Sequence, residues 1–163
     1  MTCIVGIERG GAVYLGGDRC ISDDETAHVQ RDPKVWVHGG NVVLGVAGTL
    51  WQLQKLRYGR LKGFRVGLPQ EWLTEDLAPI VRDLGEIVLL VGIGGALYHL
   101  DGSGGFSNVG PEFAIGTGAQ AAMGALDVLA DKLSAETRIR RALTSSSRIR
   151  RDVSPPFDIV SVP

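Results

Sequence analysis

The sequence predicts an α+β fold, and three observations carry that reading. The first fifty residues are apolar, β-branched runs broken by glycine turns. The apolar period then lengthens to that of helices. The complete order is four strands, two helices, three strands, two helices and a last strand, and helix pairs segregated from strands argue against an alternating βαβ parallel sheet.

Taken in order, Thr2–Ile7 reads as a strand, and Gly10-Gly11 turns it into a second, Ala12–Leu15. Gly16-Gly17 ends that run. A polar stretch, Ser22–Arg31, leads to a third strand at Lys34–Val37, and Gly39-Gly40-Asn41 turns into a fourth, Asn41–Ala47. Leu50, Leu53 and Leu56 then fit a helix starting near Gly48-Thr49. Thr74 is the expected cap of a second helix, with Glu75 and Asp76 in its first turn and Leu77, Ile80, Val81 and Leu84 on one face. Pro79 opposes a regular helix there, because proline lacks the N–H and costs about 3 kcal/mol beyond the first turn. Strands return at Ile87–Val91 and Ala96–Leu100, and a reversal at Asp101–Gly105 precedes a short piece ending at Ile115. Helices are expected from Thr117 to about Lys132 and from Ser134 to about Arg148. Pro155-Pro156 stops helix formation, and Phe157–Val162 is the last strand.

Bulk properties narrow the function classes. The 163 residues make one domain, 1–163, large enough for a buried core. Apolar residues at 44% and charged residues at 21% are ordinary for a soluble protein; the 23 glycines are about twice the usual share and read as turns and close backbone contacts. A net charge of −1 gives no reason to expect nucleic acid as a partner. The basic stretch from Arg138–Arg141 to Arg148–Arg151 reads as a solvated helix face or an assembly contact. No apolar run approaches the roughly 18 residues needed to cross a bilayer. The amino terminus has no signal-peptide pattern, so a cytoplasmic location is expected by elimination. Cys3 and Cys20 lack CxxC spacing and are expected to be buried, reduced thiols.

The chemistry begins at Met1-Thr2. A small second residue favours removal of the initiator methionine, which would leave threonine with a free α-amino group. A threonine hydroxyl is a poor nucleophile without a base beside it. The α-amine, with a reference pKa of about 7.7–8.0, is a base carried on the same residue. Asp18 lies sixteen residues after Thr2, and Lys34 sixteen after Asp18. Three adjacent strands would bring them to one end of a sheet. There the lysine ammonium would favour deprotonation of the hydroxyl, and the aspartate would hold the lysine charged and oriented. Gly48, between the fourth strand and the first helix, would offer a bare N–H at a helix start to an oxyanion.

With these residues in place, TCIVGI, GGAVYLGGDRCIS, DPKVWV and NVVLGVAGTLWQL resemble the N-terminal half of proteasome β subunits and HslV peptidases. FAIGTGAQAAMGAL is similar to the segment that opens the family's third helix and sets a hydroxyl by the terminal amine. The resemblance covers nearly the whole chain. It implies a four-layer αββα sandwich, the fold of N-terminal nucleophile hydrolases, with two antiparallel sheets between helix layers. It also implies a threonine peptidase with Thr2 as nucleophile, Lys34 and Asp18 in support and Gly48 N–H on the oxyanion. Ser22 matches a position whose backbone pairs with bound peptide, and Val46 the floor of the pocket for the residue before the cut. Thr117 stands where the family has serine. On the amine side Asp152, followed by Ser154 and Pro155, is the nearest match to the family's aspartate, and an alternative alignment puts Arg150 there. The resemblance further implies protein or peptide substrates, a homo-oligomeric ring and an ATP-dependent unfoldase as partner. It implies no required cofactor, with room for a monovalent cation at backbone carbonyls.

Other readings compete. A catalytically silent ring subunit would keep the fold, and an amidase of the wider nucleophile group would act on a small molecule. Gly116-Thr-Gly118-Ala-Gln-Ala121 fits the dinucleotide pattern G-x-G-x-x-A, but that motif needs a following strand with an acidic end, and Glu136 falls in an expected helix. His28, His38 and His99 show no metal-ligand spacing. Cys3, next to Thr2 on a strand, would point to the opposite face.

Overall fold

A computed structural model describes residues 2–22, 26–65 and 67–163. Two antiparallel sheets stack face to face, each covered on its outer side by helices. The first sheet joins β1 (Ile4–Arg9), β2 (Ala12–Asp18), β10 (Glu112–Ile115) and β11 (Phe157–Val162) in the order β10-β1-β2-β11. The second joins β5 (Val35–His38), β6 (Val42–Ala47), β7 (Val88–Ile93), β8 (Ala96–Asp101) and β9 (Phe106–Asn108) in sequence order. The helices are α1 (Leu50–Tyr58), α2 (Pro69–Trp72) and α3 (Ala78–Leu84) on one side, and α4 (Ala119–Val128) and α5 (Ala135–Ile149) on the other. The architecture is the four-layer αββα sandwich.

Strand alternation separates three apolar layers. In β1, Val5 and Ile7 pack towards α4 and α5, while Ile4 points between the sheets. In β6, Val42, Leu44 and Val46 face the first helix layer, and Val43 faces the inter-sheet core. Both faces of these strands are buried, so they read as unbroken apolar runs. The sheets meet closely where side chains are missing: a Cβ on Gly92 would fall 2.5 Å from Val13 and from Val43.

On α5, which starts where expected, Ser134 accepts the Thr137 N–H as its cap, and Ala135, Arg138, Ile139, Ala142, Leu143 and Ser146 form the buried stripe. Arg138 is therefore not part of a solvated face. It pairs with Glu112 and donates to the Leu126 carbonyl. The preceding helix, expected to reach about Lys132, stops at Val128. The Leu126 carbonyl, which Ala130 N–H would take in a longer helix, accepts Leu129 N–H and the Arg138 guanidinium instead, and Arg9 donates to the carbonyls of Asp131 and Leu133 in the loop that follows.

The second helix starts earlier than expected. Pro69 occupies its first turn, and Thr74 is internal, its hydroxyl donating to the Gln70 carbonyl. Leu73–Leu77 is a π-helical turn in which Ala78 N–H reaches back to Leu73 O. That widened turn lets Pro79 follow without demanding an N–H it lacks. The polar stretch expected at Ser22–Arg31 overlaps two short strands, β3 (Cys20–Ser22) and β4 (Ala27–Val29), which pair antiparallel. Among the described residues no helix is long and apolar enough to cross a membrane.

Candidate active site

Thr2 lies just before β1, Asp18 ends β2, Lys34 precedes β5, and Val46 lies near the end of β6, two residues before Gly48. All lie at one end of the sandwich. Lys34 does not come from a third strand of the same sheet, as the spacing suggested; it reaches across from the facing sheet. Small residues at the crossing allow this approach, since a Cβ on Gly17 would meet Val35 at 3.0 Å and one on Gly45 would meet Ile4 at 2.7 Å.

Asp18 is fully buried, and its carboxylate is surrounded by donors. Oδ1 accepts Cys3 N–H (2.8 Å), while Oδ2 accepts Cys20 N–H (2.8 Å) and Lys34 Nζ (3.0 Å). Lys34 Nζ also donates to the Cys20 carbonyl, and Val46 N–H donates to Lys34 O (3.1 Å). Burial pushes the Asp18 carboxyl above its usual range, and the Lys34 ammonium and the two N–H groups work against that rise. Thr2, Lys34, Val46 and Gly48 line one cavity of about 230 Å³, walled further by Ile21, Gln30, Leu50 and Leu53.

On the other side, Thr2 N donates to Thr117 Oγ1 (3.3 Å), and Thr117 Oγ1 donates to Asp152 Oδ2 (2.6 Å). The residue facing Thr117 is thus Asp152, not Arg150. Arg150 binds both oxygens of the same carboxylate, Nε on Oδ1 (3.0 Å) and Nη2 on Oδ2 (3.2 Å). Burial alone would raise the Asp152 carboxyl, but Arg150 and the Thr117 hydroxyl outweigh it and hold it below the usual carboxylate range.

The glycines of the dinucleotide-like pattern serve contact with β1 instead of a phosphate. Gly116 has φ +90°, and a Cβ there would lie 2.2 Å from Thr2 O. A Cβ on Gly118 would strike Ser146 Oγ and Cys3 Cβ, while its N–H donates to Thr2 O (3.2 Å). Helix α4 is followed by α5, with Glu136 in the first turn of that helix. Cys3 packs with α4 and α5, away from the Thr2 cavity, and burial pushes its thiol up to about 11. Ser22 closes β3 opposite Ala27; its side chain lies outside the described residues, as does Met1.

One residue that sequence reasoning passed over is Gln52. Its Oε1 accepts from Thr49 N (2.7 Å) and Thr49 Oγ1 (3.0 Å), and its Nε2 donates to Leu84 O (2.8 Å) and Glu86 O (3.1 Å). It ties the start of α1, next to Gly48, to the chain leaving α3. The signal was present as Thr49-x-x-Gln52, a capping-box spacing.

No known family's sequence profile matches the chain. Solved structures do match. HslV from Trypanosoma brucei is 20% identical with a TM-score of 0.76 over 99% of both chains. BPH from Thiobacillus denitrificans, a bacterial proteasome homologue in complex with epoxomicin, is 12% identical with a TM-score of 0.81 over 99% of this chain and 98% of that one. Anbu, an ancestral β-subunit from Yersinia bercovieri, is 20% identical with a TM-score of 0.76 over 99% of this chain and 82% of that one. Sequence layering, sheet order and these matches agree: the chain has the fold of the proteasome-like N-terminal nucleophile hydrolases.

Proposed function

We propose that the chain is a threonine peptidase whose nucleophile is Thr2 after Met1 is removed. The observation that carries this reading is the meeting at Thr2 of two separate polar networks. Lys34 and Asp18 lie on the cavity side, and Thr117 and Asp152 hold the main-chain nitrogen.

In the proposed reaction the α-amine takes the proton of Thr2 Oγ1 as that oxygen attacks the substrate carbonyl carbon. Lys34 favours the developing alkoxide, and Asp18 keeps Lys34 charged in a buried place. The carbonyl oxygen becomes an oxyanion stabilised by Gly48 N–H, beside the start of α1. Collapse breaks the C–N bond, and the α-ammonium returns its proton to the leaving amine. Water then attacks the Thr2 ester with the α-amine again as base, releasing the acid and restoring the hydroxyl. None of these steps needs a cofactor; a monovalent cation at backbone carbonyls would have a structural role.

Val46 at the cavity wall suits a medium-sized apolar residue before the cut. Among the described residues β3 pairs with β4 alone, so the Ser22 backbone edge suits an extended substrate added as a strand. The likeness to HslV and the other proteasome-like structures supports an oligomeric ring acting on protein or peptide substrates; a cytoplasmic location, identical subunits and an ATP-dependent unfoldase as partner complete the proposal.

The deciding experiment is labelling with a β-lactone or peptide boronate, comparing wild type with Thr2→Ala, alongside N-terminal mass spectrometry. The expected result is a processed chain with an adduct on Thr2 that Thr2→Ala lacks. A processed chain with no Thr2-dependent adduct would instead identify a silent subunit. Turnover of small amides without peptides would identify an amidase. Light scattering checks the ring, and a monomer at working concentration would sink it.

A further inference from the structure

We propose that Arg150 is a positioning residue that lowers the basicity of the Thr2 α-amine by acting through Asp152 and Thr117. The inference rests on the hydrolase reading above. A terminal amine that serves as base has to be neutral when substrate arrives. A lone carboxylate one hydroxyl away would favour the ammonium form and leave the base already protonated. Arg150 meets that carboxylate with both Nε and Nη2, so the charge next to the amine is offset while the hydroxyl contact stays.

The arginine is placed for this by the end of α5. Its backbone N–H donates to Ser146 O (2.8 Å), and its carbonyl accepts Val153 N–H (3.2 Å). This fixes the turn that returns Asp152 to Thr117. An exposed ion pair has little effect, but here one partner is buried: the Asp152 side chain is 9% exposed, against 43% for the Arg150 side chain.

The other charged and titratable groups around Thr2 N come from several elements. Asp18, at the end of β2, binds Cys3 N–H and forms an ion pair with Lys34 from the facing sheet. The Cys3 thiol beside Ser146 of α5 is neutral, with its pKa pushed up to about 11. Asp18 and Lys34 are paired with each other, so each carries its counter-charge within its own contact. The Asp152–Arg150 pair is therefore the balance left to adjust.

The test is the pH dependence of kcat/KM, or of the rate of Thr2 labelling by a β-lactone, in processed wild type, Arg150→Gln and Arg150→Lys. Removing the cation raises the amine pKa. The acid limb in Arg150→Gln is expected to move up by about 0.5–1 pH unit, a roughly three- to tenfold loss on the acid side, with rates converging at high pH. Arg150→Lys keeps the charge and restores most of the limb. Thermal midpoints are measured in parallel. An unmoved limb with an equal loss at every pH, or a shift that lysine does not restore, overturns the role of Arg150 and leaves the hydrolase reading intact. A processed wild type with no Thr2-dependent rate overturns the reading itself, and this inference with it.

Discussion

Around Thr2 each polar side chain is held by at least one other, so single substitutions expose buried partners. Lys34→Met leaves the fully buried Asp18 carboxylate facing no cation, and should cost about 3–5 kcal/mol of unfolding free energy in denaturant titration. Adding Asp18→Asn should recover much of it, because the orphaned charge goes too; no recovery would mean that Lys34 contributes by packing. Asp152 gives a pH signature. Its folded-state pKa is depressed, so its contribution is fully present above the ordinary carboxylate value and is lost as pH falls through the lower folded value. Asp152→Asn should flatten the stability–pH curve below about pH 4. An unchanged acid slope would refute that contribution. Gly116→Ala tests close approach. The added Cβ meets Thr2 O at a backbone angle alanine disfavours, so labelling of Thr2 should fall far more than the melting temperature.

At the scale of elements, α5 joins both sides of the site to the fold. Its Ser134 cap faces solvent, and Ser134→Ala should cost about 1 kcal/mol with no effect on the Thr2 chemistry. Gly16, on the sheet face under α5, leaves no room for a side chain: a Cβ there would lie 2.2 Å from Ile139. Gly16→Ala should push the helix away at a cost of about 1–3 kcal/mol, read from a shifted denaturation midpoint. A neutral result would show that α5 slides freely on the sheet. Part of this layer was readable in advance: a helix from Ser134 to about Arg148 and the strand Phe157–Val162 after the prolines, but not which face of the helix is buried. The β3–β4 pairing was not readable, because each strand is only three residues long and too short to show a period.

For the whole molecule, the inter-sheet layer decides where the site lies. Leu90 is fully buried between the sheets with Val13, Leu15 and Leu97. Leu90→Ala should cost about 2–5 kcal/mol, the range for a leucine-sized cavity. The same layer sets the distance over which Lys34 reaches Asp18. Activity should therefore fall in step with loosened packing, even though Leu90 does not line the Thr2 cavity. A variant that loses stability but labels Thr2 at the wild-type rate would separate the two.

By itself the sequence determined the α+β class, most elements in order, and Thr2, Asp18, Lys34 and Gly48 as a candidate group. Those depend on local period, turn chemistry and residue type, all of which act along the chain. Tertiary structure alone decided that Lys34 approaches from the opposite sheet, that Asp152 instead of Arg150 faces Thr117, and that Arg138 is buried against Glu112. It also decided that Gly116 and Gly118 make room for β1. Each of these depends on which segments pack together, and contacts between residues as far apart as Thr2 and Thr117 leave no periodic trace in the chain. Two networks that are remote in sequence become one site only when the sheets close.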